Sequence, residues 1–312
     1  MTGFMSGRLI VIMLFRLQMS IDDAIRAYTI LARDVFVEKK WCFQEGTFKA
    51  SRLEDAVLTI IREADKEKED PNQILLLDDK GPKWYVVHKW LFRPIPYNYS
   101  FVCAMSEKNM RFPTLFRSWI PPANASYNCT IVEATRATTA APSVFKAVKL
   151  GHRQQRYLDG GFRCNNPVKY VLEEAQSVYP NYPISCIVSL GTGARGVIGL
   201  ERPDAFQKFL PTKLLRVLKE IAGDCEIQSE DIARQYPNLY FRLNVDEGLQ
   251  NVSLAEWDKL SEVDTHTSSY LKRVETTQKV DRLVQVLSRH GPACSSLHYF
   301  HLLFAYVCKR RP

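Results

Sequence analysis

The chain has 312 residues, and its 46% apolar and 24% charged content is that of a globular protein. This excludes a disordered, collagen-like or coiled-coil chain, and at ~100–200 residues per domain the length suits one large domain or two small ones. Lys and Arg number 42 against 34 Asp and Glu, a formal charge of +8, which raises the question of an anionic partner such as nucleic acid or a lipid surface.

Eight cysteines (Cys42, Cys103, Cys129, Cys164, Cys186, Cys225, Cys294, Cys308) stand at irregular spacings with no C-x-x-C pair. That argues against a zinc site or a disulfide scaffold and for buried free thiols in a reducing compartment. No apolar run reaches the ~18 residues of a membrane-spanning helix. Arg8 followed by Leu9–Phe15 imitates a signal peptide, but Arg16 cuts the run and no small-residue cleavage site follows. The expected location is cytoplasmic, with peripheral association at membranes.

Residues 7–18 form an apolar helix candidate. Ser20-Ile-Asp-Asp23 has the form of an N-cap before a second helix that ends near Phe36. Ser51-Arg-Leu-Glu54 reads as a capping box, and Leu53, Ala56, Val57, Ile60 and Ile61 then fall on one helical face, before charged residues 62–70. Phe101–Met105 reads as a buried strand and Pro113–Trp119 as an extended segment. Glu133–Ala141 is a small-residue helix stopped by Pro142. Asn166 is placed to cap a helix with Pro167 at its first position, faced by Val168, Val171, Leu172 and Ala175. Ile184–Leu190 is a β-rich run ending at Gly191-Thr-Gly193. Later stripes fall at Leu214, Val217, Leu218, Ile221 and at Val280, Leu283, Val284, Leu287. Alternating strands and helices predict an α/β layered fold.

Asp159-Gly160-Gly161 combines a carboxylate at a strand end with two glycines that admit close backbone approach. Asp-Gly is also the commonest turn dipeptide, so these residues alone leave a turn and a catalytic carboxylate both open.

The wider wording is more specific. Glu133-Ala-Thr-Arg-Ala-Thr-Thr-Ala-Ala-Pro142, Leu158-Asp-Gly-Gly161, Asn165-Asn-Pro-Val168 and Val188-Ser-Leu-Gly-Thr-Gly193 resemble the patatin-like phospholipase family in wording, order and spacing. Leu9–Leu14 with Met19–Ile25 looks like that family's helix after the nucleophile. The resemblance continues in Glu256–Leu260 and His266–Leu271 and covers most of 3–84 and 101–287. It implies a three-layer α/β/α sandwich. It also implies a Ser–Asp dyad that hydrolyses lipid esters with no metal or other cofactor and no catalytic His; His152, His266 and His290 are then surface or capping residues. In such a dyad the Ser, on a strained strand-to-helix turn, attacks the acyl carbonyl. The Asp takes its proton, and a Gly-rich loop stabilises the oxyanion. Asp159 matches the dyad Asp.

The nucleophile does not match. Aligned on Leu9-Ile10, the family's G-T-S-T-G-G falls on Gly3-Phe-Met-Ser-Gly-Arg8. Gly3 and Gly7 keep the frame, Met5 holds the nucleophile position, and Ser6 is one residue late. By the same alignment the family's first strand and Gly-rich loop have no counterpart. One lost oxyanion donor costs about 10²–10³ in kcat, so the chain as written is not expected to hydrolyse esters. Its expected partners are a lipid ester or membrane surface, and proteins bound through domains outside this chain.

Residues 85–100 fit no family pattern. They are expected to be foreign to a domain over 3–290, either translated intron or an aromatic surface loop. Residues 291–312 are expected to be a divergent tail, a mis-assigned last exon or an interfacial anchor. Lys89, Arg93, Lys309, Arg310 and Arg311 fall in these two stretches. The remainder is only slightly basic, carries no basic stripe or RNP-like motif, and is not expected to bind nucleic acid.

Overall fold

Residues with helical apolar spacing in the first third of the chain fold as helices, and the β-rich runs beyond residue 100 fold as strands. The computed structural model describes residues 3–40, 46–64, 70–76, 99–121, 127–141, 144–162, 164–191, 193, 225–249, 256–288 and 305–309. The apolar run near the start folds as α1 (Gly3–Val11) and a wider π-type turn over Ile12–Arg16, in which Leu17 N–H reaches Ile12 O at 2.9 Å. The Arg16 guanidinium secures that turn by donating to the carbonyls of Leu75 and Leu76. Ser20 caps α2 (Ile21–Phe36) as its sequence predicts, its hydroxyl accepting from Asp23 N–H at 3.1 Å.

Helix α3 (Ala50–Ala64) buries Leu53, Val57, Ile60 and Ile61, as the spacing predicts. The capping box expected at Ser51–Glu54 does not form. The helix starts at Ala50, so Ser51 is already inside it, and the Glu54 carboxylate goes to Arg136 at 2.8 Å. A buried guanidinium needs a counter-charge more than an exposed helix end needs a cap.

Strands β1 (Phe101–Ser106) and β2 (Asn109–Arg117) form a hairpin. Helix α4 (Ile131–Thr138) begins two residues before its expected start, because Thr130 and Glu133 build a capping box there. Strands β3 (Val148–Leu150) and β4 (Gln155–Asp159) complete a four-stranded antiparallel sheet of order β2-β1-β4-β3. Successive strand side chains point to opposite faces. Val102, Ala104 and Phe116 therefore join a continuous core with α1–α4. Cys103 and Leu115, on the other face, pack with Cys164 and with Tyr170 of α5 (Val168–Val178). Asn166 accepts from Val168 N–H at 3.4 Å, with Pro167 just outside the helix.

A second sheet has the order β6-β5-β7. Strand β5 (Ile184–Leu190) runs parallel to β6 (Tyr240–Leu243) and antiparallel to β7 (Ala305–Lys309). Helical residues 225–235 (α6), α7 (Leu260–Leu271) and α8 (Val274–Ser288) accompany it. In α8, Leu283 and Leu287 are buried with Thr276, whereas Val284, expected on the same stripe, faces solvent. Within the tail expected to be divergent, residues 305–309 pair with β5 as a sheet edge.

Residues 85–98, the stripe at 214–221 and tail residues 297–304 lie outside the described residues. The last two residues of 85–100 are described. The Tyr99 ring lies 5.1 Å from Trp119 and 5.9 Å from Tyr179, and Ser118 N–H donates to Ser100 O at 2.8 Å. No helix among the described residues is long and apolar enough to cross a membrane.

Candidate functional site

Strand β4 delivers Asp159 to the middle of the first sheet, opposite Ala104 of β1. The chain must turn there at once, and Gly160 makes that turn against β1. A Cβ on Gly160 would lie 2.2 Å from Cys103 O and 2.9 Å from Cys103 Cβ. Only a residue without a side chain fits this approach. Gly161 N–H then folds back to donate to Asp159 Oδ1 at 2.6 Å. The turn reading and the carboxylate reading of Asp-Gly-Gly thus describe one device: the turn holds the carboxylate.

Asp159 is 2% exposed. Its Oδ1 also accepts from the Arg8 guanidinium, which donates a second hydrogen bond to Thr138 O at 2.9 Å. The Thr138 hydroxyl in turn donates to Cys103 O at 2.6 Å. Burial pushes the Asp159 carboxyl above the ordinary carboxylate range, while the Arg8 charge and the Gly161 N–H pull the other way. Oδ2 is buried with no hydrogen-bond partner among the described residues. That leaves one carboxylate oxygen unused while the other is committed.

Beside this turn, Cys103 and Cys164 bring their sulfurs to 2.6 Å. Burial, then the contact with Cys103, holds the Cys164 thiol well above its usual range. It is therefore a protonated, inert thiol rather than a nucleophile.

Residues 3–7, expected to form the nucleophile turn, lie within α1: Gly3 opens the helix and Gly7 sits buried inside it. Met5 and Ser6 occupy its first turns. Gly160 and Gly161 stand where the sequence reading places them, beside Asp159. Sequence reasoning did not find Arg8 as the partner of Asp159, nor the Thr138 and Cys103 carbonyls behind it. The signal was there for Arg8: it takes the last Gly position of the motif. Among the described residues no group of His, Cys, Asp or Glu is arranged to hold a metal ion.

Residues 97–172 match a family model described as patatin-like phospholipase. That range includes β1 to β4, Asp159 and both turn glycines, and takes in the last four residues of the 85–100 segment. Calcium-independent phospholipase A2-gamma of Rattus norvegicus is 32% identical over 159 residues, 50% of this chain and 20% of the relative. The Homo sapiens protein of that name is 31% identical over 159 residues, 50% of this chain and 19% of its own length. Phospholipase A I of Arabidopsis thaliana is 30% identical over 130 residues, 40% of this chain and 9% of the relative. The chain thus spans about a fifth or less of the length of these relatives.

Proposed function

We propose that the chain, whose residues 97–172 match the patatin-like phospholipase model, is a lipid acyl hydrolase domain of that family and of three-layer α/β/α type. In the chain as written, Arg8 holds the dyad carboxylate out of use. The domain runs over 3–290, carries 85–100 as an insert, and borrows an edge strand from the tail beyond residue 290. Its ligand is a lipid ester met at a membrane surface from the cytoplasm, and further protein partners engage domains outside this chain.

One observation carries the reading. A dyad Asp must accept the proton of a hydroxyl about 2.6–3.2 Å away as that hydroxyl attacks. Asp159 instead accepts from a guanidinium, which has no proton to give up at neutral pH. Its other oxygen is enclosed. Met5, at the nucleophile position of the alignment, offers a thioether that cannot form an acyl ester. With neither partner in place, the fold binds lipid ester without cleaving it.

The test is hydrolysis of p-nitrophenyl butyrate by the purified chain. The expected rate equals that of Asp159→Ala. Release of p-nitrophenol that disappears in Asp159→Ala would overturn the silent reading and return Asp159, with Ser6, to a working dyad.

A further inference from the structure

Far along the chain from Asp159, α6, β6 and α8 line a half-open cavity of about 430 Å³. Successive side chains of a strand point to opposite faces. Three consecutive residues of β6 (Tyr240, Phe241 and Arg242) nevertheless line the cavity. It therefore runs along the edge of the strand rather than over one face. Among the described residues that edge has no strand partner, since β6 pairs only with β5.

The cavity is cationic. Arg242, Lys279 and Arg282 line it, against one carboxylate, Glu230. Glu230 is bonded to Arg234 at 3.2 Å. Elsewhere Arg26, Arg52, Arg117, Arg156 and Arg273 each face a carboxylate within ion-pair distance. Among the described residues no ion pair involves Arg242, Lys279 or Arg282. Arg242 is held in place: its Nη1 donates to Ser189 Oγ at 2.9 Å, while its buried Nε has no partner among the described residues. Lys279 Nζ donates to Arg242 O at 3.3 Å, which keeps the ammonium beside that guanidinium. Ser229 and Tyr240 add two hydroxyls in mutual contact at 2.9 Å. Like charges gathered around one half-open cleft repel each other, and an anion placed among them relieves that repulsion.

We infer that this cavity is a binding site for a phosphate ester. A phosphate offers acceptor oxygens to two guanidinium groups and an ammonium at once, as charge-assisted hydrogen bonds. The volume suits a small phosphorylated molecule or a single headgroup. The site is independent of the Arg8–Asp159 pair and of whether the chain cleaves esters.

The experiment titrates the full chain with glycerol 3-phosphate by calorimetry. In parallel it sediments the chain with phosphatidylcholine vesicles, with and without phosphatidic acid. The expected result is saturable binding in at least one arm, weakened by added salt. The double variant Lys279→Gln/Arg282→Gln is expected to lose at least about tenfold in affinity, the cost of one charge-assisted bond. Arg26→Gln, outside the cavity, is expected to bind unchanged. Binding of the soluble ester assigns a free metabolite, and binding of phosphatidic acid vesicles alone assigns a lipid headgroup; either supports the site. No binding in either arm overturns it. So does a double variant that keeps the circular dichroism of the parent and binds as tightly.

Discussion

The two sheets of this molecule treat charge in opposite ways. Around β1–β4 and α1–α4 one continuous apolar core forms, and its buried charged groups are paired: Arg8 with the buried Asp159, Arg136 with Glu54, whose carboxylate stays at the surface. Around β5–β7 and α6–α8 the apolar residues fall into separate small clusters, and three cations share a cavity without an ion-pair partner among the described residues. Burial in a large core forces each charge to find a counter-charge of its own. A thinner region leaves charge available to a ligand. The first sheet therefore holds its carboxylate as structure, while the second keeps its cations for binding.

Substitutions that probe each side test this contrast. The largest effect is expected at Gly160, where an added Cβ meets β1 backbone that cannot yield. Gly160→Ala should cost about 3 kcal/mol or more in urea melts. Gly193→Ala, where the nearest atom is Leu249 Cβ at 3.2 Å and φ is +117°, should cost about 1–2 kcal/mol. Equal losses would erase the difference in rigidity. Next come the cores. Leu53→Ala, in the continuous core, should cost about 4 kcal/mol, and Leu287→Ala, in a small cluster, about 2 kcal/mol.

A smaller, pH-dependent effect belongs to Asp159. Its folded-state pKa is raised, so the folded chain keeps this proton to higher pH than the unfolded chain does. The stability it contributes is full below the ordinary carboxylate pKa of about 4 and is lost as pH rises through the folded value. The stability difference between the parent and Asp159→Asn, measured by urea melts from acid to neutral pH, should shift against the parent as pH rises. A flat difference would mean that the Arg8 charge cancels the cost of burial. The smallest readout is chemical. Burial, helped by the Glu133 charge, pushes the Cys129 thiol up to about 12. Iodoacetamide at mildly alkaline pH should leave it unmodified in the folded protein and alkylate it in urea; rapid native alkylation would show that the first core opens readily.

Much of this was legible in the sequence because it is local. Ser20 caps α2 through a bond to a residue three positions away. The face of α3 follows from side chains spaced at 3.6 residues per turn. The strands at 101–106 and 184–190 are short β-rich runs. What failed to read out depended on distant partners. Glu54 looked like a cap and became a counter-charge to Arg136, 82 positions away. Val284 sat on the predicted stripe of α8 but faces solvent, because the narrow cluster there covers only Leu283 and Leu287. The strand at 305–309 exists through its pairing with β5. Its own residues read only as an apolar tail.

The opening excess of positive charge divides along the same line. By itself the sequence determined the likeness to patatin-like phospholipases, the helices of the first third and the turn that carries Asp159, since each rests on residues near one another in the chain. It also determined that little of the charge belongs to the family-like part. Only the tertiary structure decided what the charges do. Coulombic pairing acts through space, so it took the fold to bring Arg8 to Asp159 across 151 positions and to gather Arg242, Lys279 and Arg282 around one cavity.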